Sequence, residues 1–169
     1  MVTLERLRAD HADALLAFER ENRAYFARTV PDRGDAYFTP SGFAERHQAL
    51  LDEQHARVCH FHVVLDEEGS VVGRVNLMDV ADGSAELGYR VGERAAGRGV
   101  AKAAVAAVCR LAADEYGLTS LTAVTTLDNP ASMTVLARSR FLRTRETVVD
   151  GRPGVHYALR LLDAPRHTP

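Results

Sequence analysis

Hydrophobic and polar positions change period several times along the chain, and each change marks an element. Residues 3–6 read as a short strand. From Asp10, a good helix cap, to about Asn22 the apolar positions Ala14, Leu15 and Phe18 fall on one stripe, which predicts a helix. Residues 43–54 give a second, with Leu50 and Leu51 facing the core. Three apolar runs follow in close order, 58–65 (alternating), 71–78 and 85–91, separated by turn-forming stretches at 66–70 and 79–83. That spacing predicts an antiparallel meander. The period is helical again over 99–116, with Ala101, Ala104, Val105, Val108, Leu111 and Ala112 on one stripe and Gly117 placed as a C-cap glycine. Residues 118–126 are rich in β-branched side chains and read as a strand. Asn129-Pro130 opens a further helix to about Ser139, and strands at 142–149 and 154–161 flank an Asp150-Gly151 turn. The order β-α-α-β-β-β-α-β-α-β-β predicts an α/β (α+β) fold: one mixed, mostly antiparallel twisted sheet flanked by helices.

Residues 23–42 follow no period. They hold Pro31, Gly34 and Pro40 together with Tyr25, Phe26, Tyr37 and Phe38. These rings either form a binding surface or pack the loop onto the core, and the sequence leaves both readings open.

A length of 169 residues fits one domain, assigned to residues 1–162 with 163–169 as a frayed tail. Lys+Arg number 21 and Asp+Glu 23, and a net charge of -2 argues against a nucleic-acid partner held by bulk electrostatics. No stretch has the length of a membrane helix, and Met1 to Arg8 lack the apolar run of a secretory leader. No membrane partner is expected. Cys59 and Cys109 stand in unlike surroundings, which excludes a disulfide framework and points to the reducing cytoplasm. His60 and His62 share a strand face without a third ligand, so no metal is expected; Cys109 reads as a packing residue.

One local arrangement carries chemistry. The strand at 85–91 runs through Gly92 into Arg94-Ala95-Ala96-Gly97-Arg98-Gly99, where the long helix starts. Gly97 and Gly99 permit positive φ and close backbone approach. Free N–H groups at the helix start, with the helix dipole behind them, favour an anion, and Arg94 and Arg98 add charge. A phosphate or pyrophosphate is the natural guest. A Walker A loop is absent, and Lys102 stands where a dinucleotide fingerprint needs its third glycine.

Arg94-Ala95-Ala96-Gly97-Arg98-Gly99 resembles Arg/Gln-x-x-Gly-x-Gly/Ala, the acetyl-CoA pyrophosphate loop of the GNAT N-acetyltransferases. The element order is similar to that fold over nearly the whole chain. Asn129-Pro130-Ala131-Ser132, then Val135-Leu136 and Phe141, looks like the corresponding block of RimJ/RimL-like enzymes, which acetylate N-terminal amines of ribosomal proteins. The chain departs from the pattern at Arg140, where Gly is usual, and at Thr144-Arg145, where Glu-Gly is frequent. Leu136 stands where many GNAT enzymes carry a general-acid tyrosine, which speaks against a tyrosine acid.

The resemblance implies acetyl-CoA as co-substrate. It implies cofactor contacts at Tyr89, Arg90, Val91, Arg94, Gly97, Arg98, Gly99, Val100, Ala101 and Asn129. The reaction implied is attack of an amine on the acetyl thioester. It needs a free amine, an oxyanion donor and a proton for the departing thiolate. Glu86 is the leading base; its bland alternative is a solvated carboxylate or a partner for Arg90 on the same strand face. Glu146 and Asp150 are weaker candidates. Ser132 is the leading proton donor, against a serine that only satisfies a helix-start N–H. Asn129 reads as the helix N-cap and, by resemblance, a contact of the pantetheine arm. The oxyanion donor is expected among the N–H groups of residues 87–89, with Gly88 marking a bulge. His156-Tyr157 reads as a strand pair beside the acceptor side or simply within the sheet. The implied activity is N-acetylation of a protein N-terminal α-amine by a monomer or homodimer. The alternatives are a small-molecule amine (antibiotic, polyamine or amino-acid-like) as acceptor, or a non-catalytic acyl-CoA-binding module.

Overall fold

A computed structural model describes residues 1–161. Its strands are β1 (Thr3–Arg6), β2 (His60–Leu65), β3 (Val71–Ala81), β4 (Ser84–Val91), β5 (Ser120–Thr126), β6 (Leu142–Val149) and β7 (Arg152–Arg160). Its helices are α1 (Ala12–Glu21), α2 (Arg23–Phe26), α3 (Pro40–His55), α4 (Val100–Asp114) and α5 (Pro130–Arg138). Short 3-10 turns at Ala9–His11, Asp35–Phe38 and Glu93–Ala95 join them. The strands form one sheet in the order β1-β2-β3-β4-β5-β7-β6, antiparallel throughout except for the parallel pair β4–β5. The fold class is the one expected, and so is the order, except that the four-residue helix α2 stands in the segment 23–42, which shows no period in the sequence. The expected tail, 163–169, lies outside the described residues.

One face of the sheet packs on α4, through Val64, Val75, Leu77, Leu87, Val105, Val108 and Leu121. A second cluster holds Leu15, Leu16, Phe43, Phe61 and Val63, and belongs to the face beneath α1 and α3. Strands β2 and β3 are therefore covered on both sides. That explains a difference from the sequence pattern: residues 60–64 do not alternate but are all buried, and β2 starts at His60 rather than Val58.

Several boundaries also differ, each for a local reason. Asp10 does not cap the first helix; its carboxylate accepts from Arg8 Nε at 3.0 Å, and a 3-10 turn precedes α1. Ala14 is exposed, whereas Phe18 and Glu19 are buried. Helix α3 begins at Pro40, three residues earlier than its apolar stripe predicts, because Thr39 Oγ1 accepts from Gly42 N–H at 3.1 Å and Pro40 occupies the first turn. Leu50 and Leu51 are only half-buried, and Phe43, His47 and Gln54 take the inner positions. Gln54 is satisfied there by Leu7 O (3.0 Å) and Phe61 N–H (3.1 Å). Arg140 adopts the left-handed conformation usual for glycine, φ +68, so α5 ends as in the glycine-bearing pattern at a cost of about 1 kcal/mol.

The paired histidines are core residues. Among the described residues no third His, Cys, Asp or Glu joins them in a metal-sized group. His60 stacks on Tyr116 with ring centroids 3.7 Å apart. His62 Nδ1 lies 3.2 Å from Val75 O, and its Nε2 lies 2.6 Å from Tyr116 Oη. The neutral ring satisfies both contacts if Nδ1–H donates to the carbonyl and Nε2 accepts from the phenol. Burial holds the His62 pKa down to about 4. The unfolded chain therefore takes up a proton near pH 6.5 that the native state refuses until about pH 4. His62 thus contributes stability that is full above about pH 6.5 and is lost as pH falls toward 4. Chemical denaturation at pH 7 and pH 4 should show the wild type losing on the order of 3 kcal/mol more than His62→Leu between those values. Equal losses in the two proteins would exclude His62 as the titrating group.

Candidate active site

The site grows from the way β4 ends. Gly92 N–H still bonds Val72 O at 2.9 Å, and Glu93 N–H donates to Asn22 Oδ1 at 2.9 Å, which ties the exit of the strand to α1. The chain then turns through Gly97 (φ +75) and Gly99 (φ +78) into α4. The first bond of that helix is Ala103 N–H to Gly99 O, 3.0 Å. The N–H groups of residues 97–102 precede it and make no backbone hydrogen bond among the described residues. A Cβ on Gly97 or Gly99 would meet nothing within 4 Å, so these glycines answer to positive φ and leave the face before the amides open. Arg98 is exposed beside them, while Arg94 pairs with Glu21 at 2.8 Å. A row of six free amides at the positive end of a 15-residue helix fits a diphosphate.

Upstream, β4 and β5 stay in register only over Ser84↔Ser120, Ala85↔Leu121 and Glu86↔Thr122. Beyond Glu86, β4 remains paired with β3 as far as Val91, and β5 with β7 as far as Thr126. The two strands part, and residues 87–91 have a ladder on one edge only. The expected bulge at Gly88 is absent: the β3 register runs unbroken across it, and the irregularity lies between Met78 and Ala81. Gly88 answers to space instead, since a Cβ there would lie 2.8 Å from Met78 Cε.

Helix α5 stands beside this opening. Asn129 caps it by accepting from Ser132 N–H at 3.2 Å, and Leu136 anchors it in the core. The Ser132 hydroxyl is not used at the helix start. Ser132 Oγ lies 2.9 Å from Tyr89 Oη, so a hydroxyl pair links α5 to β4. Burial raises the Tyr89 pKa and keeps the phenol protonated. No spacing in the sequence signals this contact.

Side chains alternate along β4. Tyr89 packs with Leu87 toward the α4 core, so Glu86 and Arg90 project from the opposite face. Arg90 does not pair with Glu86. Its Nη1 lies 3.5 Å from Glu19 Oε2 of α1. Glu86 is half-buried and has no ion pair among the described residues. Val91, Val100 and Ala101 are half-buried at the end of β4 and the start of α4. Glu146 and Asp150 are exposed on β6 and its turn, separated from β5 by β7. Tyr157 belongs to the core, with His156 half-buried beside it. Cys109 is buried, which pushes its thiol up to about 11 and makes it a packing residue.

The family model described as an acetyltransferase (GNAT) domain matches residues 1–142, and the chain belongs to that family of acetyltransferases. Among solved structures it is similar to a ribosomal-protein-S5-alanine acetyltransferase from Vibrio fischeri, at 20% identity and TM-score 0.88, covering 98% of this chain and 96% of that one. Mycobacterium smegmatis RimJ in complex with CoA-disulfide is similar at 22% identity and TM-score 0.88, over 98% of this chain and 84% of the other. A chimera of the Vibrio cholerae spermidine N-acetyltransferase SpeG is similar at 15% identity and TM-score 0.77, over 95% and 96%. No curated protein matches by sequence. Among the described residues no helix is long and apolar enough to cross a membrane.

Two outcomes test this geometry. Gly97→Glu or Gly99→Glu places a carboxylate before the amide row; calorimetric titration should show acetyl-CoA affinity falling at least about tenfold while circular dichroism is unchanged. Unchanged affinity would move the diphosphate site elsewhere. Ser132→Ala should lower kcat by about 100-fold with little change in acetyl-CoA affinity. Turnover at the wild-type rate would leave Ser132 a purely structural member of the hydroxyl pair.

Proposed function

We propose that the chain transfers the acetyl group of acetyl-CoA to the α-amine of a protein N-terminus. The observation that carries the reading is the opening between β4 and β5, with an unpaired carboxylate at its base and a hydroxyl pair at its side. Acetyl-CoA supplies the acetyl group. Residues 97–102, Arg98 and Arg94 hold its phosphates, and the backbone of residues 89–91 and Asn129 flank the arm. Glu86 takes a proton from the acceptor's ammonium group, directly or through a water, and the free amine then attacks the thioester carbonyl. N–H groups of residues 87–89 face the developing oxyanion. As the C–S bond breaks and the C–N bond forms, the Ser132 hydroxyl, aimed by Tyr89, gives its proton to the sulfur, and the proton shed by the new amide nitrogen restores that hydroxyl. Two free, buried cysteines fit a cytoplasmic location.

Relatives with this fold include ribosomal-protein and spermidine acetyltransferases, so the fold leaves the acceptor open. Charge favours the peptide. The cleft on the Glu86 face is lined by Arg23, Arg33 and Arg90 as well as by Glu19 and Asp32. Its two acids are each held by arginine, and a polycation finds no unpaired carboxylate there.

A turnover screen with acetyl-CoA, N-terminal peptides and a small-amine panel containing spermidine tests the reading. Peptides acetylated at the α-amine are the expected product. Turnover confined to spermidine or other small amines would contradict it, and acetyl-CoA binding with no acceptor turned over would make the chain a binding module. In the same assay Glu86→Gln should lower the rate at neutral pH and recover part of it at higher pH, where more of the amine is already free. A Glu86→Gln profile superimposed on wild type from about pH 6 to 9 would remove Glu86 as the base.

A further inference from the structure

The segment 23–42 carries its own pattern of charge. Arg23 donates to Asp32 Oδ1 from Nε (3.0 Å), to Asp32 Oδ2 from Nη2 (2.8 Å) and to Asp35 Oδ1 (2.8 Å), and its guanidinium lies 4.1 Å from the Phe38 ring centroid. One arginine therefore consumes both acids of the loop. Arg33, between them, pairs with no acid among the described residues and lies 5.1 Å from the Tyr37 ring.

The sheet beneath repeats the imbalance. Glu19, whose side chain is 2% exposed, accepts from Arg74 Nη1 at 3.1 Å. Arg90 is the second guanidinium on that one carboxylate, at 3.5 Å, and it donates no hydrogen bond among the described residues. It rests 4.8 Å from the Phe26 ring, at 22% side-chain exposure. Buried Arg74 and half-buried Arg90 share one negative charge, and Arg33 adds a third positive group at the mouth. Burial lowers the Arg90 pKa and Glu19 raises it, with Arg33 and Arg74 acting against the charge, so an added anion would favour the charged guanidinium.

Arg90, Arg33, Phe26 and Phe38 line one cleft, on the face of β4 away from the α4 amides. Resting on the acetyl-transfer reading above, we propose that this cleft is an anion subsite for the acceptor. There Arg90 and Arg33 bind a carboxylate of the same molecule that carries the reacting amine. The phenyl rings wall the site against water, and two planar guanidinium groups suit a carboxylate's paired oxygens. Arg90 lies four residues from Glu86 on the same strand face, about 13 Å. That is the span of about four extended residues, so the carboxylate belongs to an acidic residue within the first four or five of the acceptor peptide.

The test uses hexapeptides that begin with alanine and carry either aspartate or asparagine at one of positions two to five. Wild-type kcat/KM should favour the best aspartate peptide over its asparagine twin by at least about tenfold. Arg90→Gln should bring the ratio near one, Arg90→Lys should keep part of it, and Arg33→Gln should reduce it. The ratio cancels any loss common to both peptides, and the lysine variant controls for damage to the Glu19 cluster. Titration of the same peptides into the CoA-loaded protein reads the preference without turnover. A wild-type ratio near one, or a ratio that survives Arg90→Gln, would overturn the subsite and leave N-terminal acetylation standing. Loss of acetyl-CoA affinity in Arg90→Gln with the ratio intact would overturn it in favour of a cofactor role. Acetylation of small acidic amines such as glutamate but of no peptide, with the same dependence on Arg90, would support the subsite while ending the N-terminal reading.

Discussion

Strands β4 and β5 hold together for three residue pairs and then part, and the rest of the site depends on that separation. Each strand keeps its other neighbour, so the sheet does not fall apart at the opening; it divides into two stable halves. A parallel pair with no ladder beyond Glu86 leaves, in the middle of the sheet and away from its edge strands β1 and β6, backbone polar groups that a ligand can satisfy. Helix α5 stands beside the gap. It is pinned by buried Leu136 below, by the Asn129 cap at its start, and by the Ser132–Tyr89 contact across to β4. The same hydroxyl pair that spans the gap is the group proposed above to serve the departing thiolate.

Two devices for negative charge stand on different sides of this opening. One is made of backbone: the free amides of residues 97–102, the dipole of α4 and exposed arginine. The other is made of side chains: Arg74 and Arg90 about Glu19, closed over by the loop that Arg23 folds. Their chemistry differs in a useful way. A surface row of amides reads a diphosphate without needing burial. A half-buried guanidinium beside phenyl rings is costly to leave without an acid and so discriminates more sharply. Alternation along β4 separates the two, because Tyr89 and Arg90 leave the strand in opposite directions.

The features legible from sequence were those set within a few residues. Gly97 and Gly99 mark positive φ, and Asn129-Pro130 marks a helix start, because each is a local backbone requirement. The α4 stripe was legible because one face alone is buried. Thr39-Pro40 carries the same kind of signal as Asn129-Pro130, yet proline among loop residues reads as a breaker, and the apolar stripe marks α3 only from Phe43. The alternation expected of β2 failed because helices cover both its faces. What no local pattern reveals is pairing at a distance. Tyr89 meets Ser132 across 43 positions, and Glu19 meets Arg74 across 55. Only the sheet order brings them together, and it also turns Arg90 from a partner for Glu86 into a partner for Glu19.

The central claim is that the amides after β4 and the unpaired stretch of β4 itself together receive the acetyl donor. Amide hydrogen exchange with and without acetyl-CoA reads both at once, residue by residue. Slowed exchange is expected in residues 97–102 and in 87–91, with β6 and the turn at Asp150 unchanged. Protection confined to other segments, or none at saturating acetyl-CoA, would contradict it.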